Sequence, residues 1–155
     1  MAKLISKSRL VPDLAAKDKE MALSRLSTVV AEDMKDVSSD DLFAALMERE
    51  RVSTTGIGQG IAIPHGKLSE EMFANAKRAC PIAALGRIPS GMDFESMDGR
   101  PVHFIVALFS PIHDNRAHLQ ALATISRQLR SKTCQEQLMA ADSPKALYQA
   151  MVSKT

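Results

Sequence analysis

Tryptophan is absent from the 155-residue sequence, tyrosine occurs once, and aromatic residues make up only 4%. Proteins that hold single-stranded nucleic acid stack its bases on aromatic side chains, so that platform is missing. Net charge is nearly absent too. Twenty Lys and Arg face eighteen Asp and Glu, leaving +2, and no run of five or six like charges supplies a footprint for nucleic acid. The longest apolar run, Phe104 to Phe109, falls far below the roughly 18–20 residues of a membrane span, so membrane insertion is not expected. Met1 to Lys7 carry positive charge with no apolar stretch behind them, so secretion is not expected. The two cysteines, Cys80 and Cys134, are too few for a disulfide framework and too far apart for a CxxC motif. A reducing cytoplasmic compartment is the expectation that follows.

What is present is an ordinary globular mixture, 45% hydrophobic and 25% charged, in a length that suits one domain over residues 1–155. Leu10 and Leu14 around Pro12 predict a turn or short helix packed on the body. Ala22, Leu23, Leu26, Val29 and Val30 recur at three- and four-residue spacing and predict a helix from Asp18 to about Met34. Ser38 and Ser39 are candidate N-caps of a second helix, with Asp40 and Asp41 at its positive end and Leu42, Phe43, Leu46 and Met47 on its buried face. That helix should end near Arg51, which puts Arg49 in its last turn.

Further on, Arg78–Leu85 predicts a strand interrupted by Pro81, at an edge or a bulge, with Cys80 in it as a small buried hydrophobe. Met97-Asp98-Gly99-Arg100-Pro101 signals a turn, and Val102–Phe109 predicts a strand buried on both faces. Asp114 or Asn115 can cap a third helix over 114–130, striped by Leu119, Leu122, Ile125, Ser126 and Leu129. Two shorter helices follow, at about Lys132–Ala140 and Pro144–Val152, the second with Ser143 as cap and Pro144 at its first position. Strands and helices in this order favour an α/β layer architecture.

Four of the seven glycines fall between Gly56 and Gly66, around one of four histidines, His65. Glycines alternating with isoleucines there predict a short strand with a bulge or a close backbone contact. The run lacks the spacing of GxGxxG, and no Lys-Ser/Thr pair follows as in a P-loop, so both phosphate-cradle motifs fail. The histidines at 65, 103, 113 and 118 form no HxxxH or HxH pair with a supporting acid, so no metal site is expected. His65 instead stands between Pro64 and Gly66. Pro64 fixes its own φ and restricts Ile63, so the imidazole is aimed by stiff neighbours, and near neutral pH such a ring carries a lone pair that can attack an electrophile. The bland alternative is a turn histidine bonded to a backbone carbonyl. His118 falls in the first turn of the 114–130 helix, where the dipole favours an anion. Arg49 offers a planar fork of donors to carboxylate or phosphate. Taken singly, Arg49 is a dipole partner and His118 a solvated helix residue. Together the three describe a phosphoryl acceptor site, since phosphoryl transfer is mostly positioning plus charge stabilisation. His103, at the start of its strand, reads as structural, and His113 as a residue lining the site without chemistry.

The stretch from Arg49-Glu50 through Thr54-Thr55-Gly56-Ile57-Gly58-Gln59-Gly60-Ile61-Ala62-Ile63-Pro64-His65-Gly66-Lys67 resembles the phosphorylation-site signature of enzyme IIA domains, mannitol/fructose class (type 2), of the phosphoenolpyruvate-dependent phosphotransferase system (PTS). The likeness extends through Phe94, Met97-Asp98-Gly99, Pro101-Val102 and Ala107-Leu108-Phe109 to His118-Leu119 and Leu122, and is strongest to the nitrogen regulatory branch. The resemblance implies a mixed β-sheet flanked by helices on both faces, with His65 as the phosphorylated histidine, His118 as the second active-site histidine and Arg49 as the active-site arginine. It implies a phosphotransferase component with a mainly regulatory role: a phosphohistidine carrier charged by an HPr-like phosphocarrier (NPr) and, indirectly, by enzyme I. Potassium transport proteins and sensor kinases are the implied targets. The alternative is a sugar-specific IIA passing phosphate to a membrane permease. No cofactor is expected, because the activated phosphate arrives on the donor protein. Gln59 stands where the family often has asparagine or aspartate, which bears on local loop contacts. If phosphorylation selects partners, a dianion at a rim of Ile57, Ile61 and Ile63 would turn an apolar docking surface into a charged one.

Overall fold

The computed structural model describes residues 1–75 and 81–154. A 3₁₀ turn at Lys7–Arg9 leads into strand β1 (Leu10–Val11), followed by helices α1 (Lys19–Met34) and α2 (Ser39–Glu50). Next come β2 (Gly56–Gly58), β3 (Ile61–Ala62), β4 (His65–Leu68) and the short α3 (Glu70–Asn75). The long strands β5 (Ile82–Met92) and β6 (Val102–Pro111) precede α4 (Asn115–Arg130), α5 (Lys132–Ala140) and α6 (Pro144–Val152). Side-chain caps hold the helix starts, as expected for Ser38, Asp114 and Ser143. Asp18, Ser38, Asp114 and Ser143 each accept a backbone N–H from three residues on, satisfying a donor that the first turn leaves unpaired.

The six strands form one mixed sheet in the order β1-β5-β6-β3-β2, with β4 also on β6. Strand β6 is its centre, antiparallel to β5 on one side and parallel to β3 and β4 on the other. Alternation along β6 divides the core in two. Ile105, Ala107 and Phe109 pack with Leu23, Leu26 and Val30 of α1 and Leu42 and Leu46 of α2. Phe104, Val106 and Leu108 pack on the other face with Ile125 and Leu129 of α4, Leu138 of α5 and Leu147 of α6. Helices therefore cover both faces, which is why β6 is apolar in both alternating registers.

Several expectations are corrected. Leu10 lies in a strand, parallel to β5 through Leu10↔Leu85, and not in a turn or helix. The strand expected over Arg78–Leu85 begins, with Cys80, outside the described residues; what is described starts at Ile82, directly after Pro81, and runs on to Met92. It is no edge strand, since β1 and β6 flank it; Pro81 stands before the ladder, where its missing N–H is harmless. The stripe of α4 is His118, Ala121, Ile125 and Leu129, whereas Leu119 is 64% exposed. Leu119 is about 100° of helical rotation away from His118, and the buried histidine takes the inward position. No helix among the described residues is long and apolar enough to cross a membrane.

Candidate functional site

Strands β3 and β4 run along the same edge of β6 with one constant register, from Ile61↔Phe104 to Leu68↔Pro111. They are one parallel strand interrupted at Ile63 and Pro64. Proline has no N–H to give to a ladder; Pro64 O still accepts from the Leu108 N–H of β6 at 2.9 Å, while the Ile63 N–H turns away to Thr55 O at 3.0 Å. That frees the Ile63 carbonyl for a side chain. The Nδ1–H of His65 donates to it at 2.8 Å. A carbonyl can only accept, so the proton of the neutral ring sits on Nδ1 and the lone pair on Nε2.

Gly66 brings α2 alongside. A Cβ at this position would lie 2.9 Å from Ala45 Cβ and 3.0 Å from the Ala45 carbonyl carbon, so only glycine lets the helix approach this closely. The close approach sets the last turn of α2, with Arg49, beside His65. Both residues line a cavity of about 460 Å³ together with His118, Lys67, Glu48, Val52 and Ile112, and a second cavity of about 480 Å³ with Thr54, Ile57, Leu122 and Arg130. Arg49 Nη1 donates to Ser53 O at 3.0 Å, which steadies the guanidinium and leaves its other donors available.

The rings of His65 and His118 lie 5.2 Å apart between centroids, tilted by 53°. His118 is buried, at 5% exposure, and so is not the solvated helix residue of the bland reading. Burial first, then the neighbouring His65 and Lys67 charges, push its pKa down to about 4. The His65 pKa is also lowered, chiefly by burial, with the Arg49 and Lys67 charges adding to the effect and the Ile63 hydrogen bond and Glu50 opposing it. Both imidazoles are thus neutral near pH 7. The three expected residues, Arg49, His65 and His118, border one cavity.

The other two histidines lie apart from this arrangement. The His103 ring is hydrogen-bonded through Nδ1 to Ile88 O at 3.1 Å, as suits a structural residue. His113 is exposed and lines neither cavity. The expected apolar rim is also corrected. Ile61 and Ile63 are 0% and 4% exposed and belong to the core beneath α4, because strand β3 is covered by that helix. The exposed apolar side chains lining the cavities are Val52, Met97 and Ile112.

Three further residues at the site carry a sequence signal. Glu50 continues the buried stripe of Leu42 and Leu46 at four-residue spacing, where a charge demands a partner. It accepts from the Thr55 N–H at 3.0 Å and from the Thr55 hydroxyl, and pairs with Lys19 at 2.9 Å. The end of α2 is thereby fastened to the loop that leads to His65. Lys67 lies two residues beyond His65 on the same strand face and donates to the Asn115 side chain at the start of α4. Ser110 is a lone hydroxyl at the end of an apolar run, wholly buried and bonded to His118. No group of three or more metal-ligating side chains occurs among the described residues.

Comparison with known proteins identifies the family. Residues 3–154 match the family model described as phosphoenolpyruvate-dependent sugar phosphotransferase system, EIIA 2. A nitrogen regulatory protein of Bradyrhizobium diazoefficiens is 34% identical over 150 residues, covering 96% of this chain and 92% of the relative. The fructose-specific EIIABC component of Bacillus subtilis is 33% identical over 147 residues, covering 95% of this chain but 22% of that protein. The crystal structure of nitrogen regulatory protein IIA-Ntr from Neisseria meningitidis superposes with a TM-score of 0.83 at 26% identity, covering 97% of each chain. The chain therefore belongs to the type 2 EIIA family of the phosphoenolpyruvate-dependent phosphotransferase system.

Proposed function

We propose that this chain is a phosphohistidine carrier of the nitrogen-type phosphotransferase branch, accepting its phosphoryl group on His65 from an HPr-like phosphocarrier that enzyme I has charged. The observation that carries the reading is the His65 ring itself. Its Nδ1–H is held by Ile63 O, so the nucleophilic lone pair lies on Nε2 of a neutral imidazole, in a cavity shared with Arg49 and His118. In the transfer, Nε2 attacks the donor's phosphorus in line. The new N–P bond forms as the donor's N–P bond breaks, and the donor imidazole leaves with the electron pair. Arg49 carries charge for the transferred oxygens, and His118 orients the phosphoryl group.

The regulatory form of the reading is supported by the nitrogen regulatory protein of Bradyrhizobium diazoefficiens, 34% identical over 96% of this chain, and by the superposition on IIA-Ntr at a TM-score of 0.83. A phosphate dianion on His65 would stand near Val52, Met97 and Ile112, and so would change an apolar surface into a charged one. Potassium transport proteins and sensor kinases are the partner class this switch would serve, in the cytoplasm. The test is incubation with phosphoenolpyruvate, enzyme I and an HPr-type donor. Wild type should take up acid-labile phosphate and His65→Ala none; equal labelling of His65→Ala would overturn the reading.

A further inference from the structure

His118 is a neutral imidazole with one proton, and the side of the ring that carries it determines what the residue offers the cavity. The deciding contact is to Ser110. This residue is the last but one of β6, opposite Lys67 of β4, and is 0% exposed. Its Oγ lies 2.8 Å from His118 Nδ1, and among the described residues the hydroxyl has no other side-chain or backbone partner. A buried hydroxyl hydrogen without an acceptor is costly. Were Nδ1 protonated, it would donate to Oγ and leave the serine hydrogen with nowhere to go. With Nδ1 unprotonated, the serine donates and both groups are satisfied.

We propose that Ser110 is a positioning residue that holds His118 as the tautomer protonated on Nε2, so that His118 presents an uncharged hydrogen-bond donor to the phosphoryl group on His65. The proposal rests on the reading that His65 is the phosphoryl acceptor. The two rings are 5.2 Å apart and line the same cavity, and Nε2 is the polar atom of His118 that Ser110 leaves open. A neutral donor has a specific advantage here. It binds a phosphoryl oxygen without exchanging a proton, so it assists both arrival and departure of the group. The opposite tautomer would aim a lone pair at the phosphoryl oxygens and repel them.

The proposal is tested by the two-bond ¹H–¹⁵N spectrum of the unphosphorylated full chain at neutral pH, which reports the protonation of each ring nitrogen. His118 is expected to show an unprotonated Nδ1 and a protonated Nε2; a protonated Nδ1 overturns the proposal, whatever happens at His65. Ser110→Ala is expected to mix the tautomers and slow phosphorylation of His65 about tenfold, with Ser110→Thr restoring both. A Ser110→Ala variant that keeps a single Nε2-protonated tautomer and the wild-type rate also overturns it. Should Ser110→Ala fail to fold, the wild-type and Ser110→Thr spectra still decide the tautomer. A wild-type chain with the expected tautomer but no phosphate on His65 would instead defeat the acceptor reading, and with it the role of the donor.

Discussion

The imidazoles of His65 and His118 face one another at 5.2 Å, and a charge on either disfavours a charge on the other. The unfolded chain carries ordinary imidazoles of pKa near 6.5, whereas in the folded protein His65 is lowered and His118 is pushed down to about 4. The folded state therefore binds fewer protons in this window. Stability is full above about pH 6.5 and falls as the pH drops toward 4, with His118 accounting for on the order of 3 kcal/mol. Denaturant unfolding at pH 7 and pH 4.5 should show this loss, and His118→Gln should flatten the acid limb. An unchanged limb in His118→Gln would contradict the assignment of the loss to that ring.

Arg49 is half-buried at the end of α2 and, among the described residues, hydrogen-bonded only locally, to Ser53 O. Arg49→Ala should slow phosphoryl transfer to His65 about 100-fold, the scale of losing one well-placed donor to a developing charge. Its Tm should stay close to wild type, because no core contact is removed. Arg49→Lys should fall between, a point charge replacing a planar fork. Single-turnover labelling from the phosphorylated donor, read beside a thermal melt, separates these outcomes from unfolding.

Gln59 and Gly60 form the two-residue turn between β2 and β3, with φ of +58° and +78°. Two positive φ values are the mark of a type I′ hairpin turn, which favours asparagine or aspartate followed by glycine. Asp98 accepts from the Gln59 N–H at 2.9 Å and holds the turn in place. The glutamine is therefore strained, and Gln59→Asn should raise stability by about 0.5–1 kcal/mol, or roughly 2–4 °C in Tm for each kcal/mol. A melt showing no gain would contradict the strain assigned to Gln59.

What was legible in the sequence is what local chemistry determines. The start of α6 follows from Ser143 and Pro144, and the bounds of α1 and α2 from Ser38 and their apolar stripes, since caps and periodicity act within a few residues. His65, the proposed nucleophile, stands out in the sequence because Pro64 and Gly66 bracket it. What was not legible depends on partners distant in sequence. Leu10 joins a strand only because Leu85 lies beside it, and Ile61 and Ile63 are core only because α4 covers them. Leu119 looks like a core leucine until the buried His118 occupies the inward position. Glu50 and Ser110 needed only a different question, namely what a polar group does on an apolar stripe.

The central claim is that Nε2 of His65 takes the phosphoryl group, and the most direct test locates the phosphate by ¹⁵N and ³¹P NMR on the chain charged from phosphoenolpyruvate. The bond from Nδ1 to Ile63 O requires a single phosphohistidine at position 65, with phosphorus on Nε2 and the Nδ1 proton retained. Phosphate on Nδ1 of His65, or on any other residue, would contradict it.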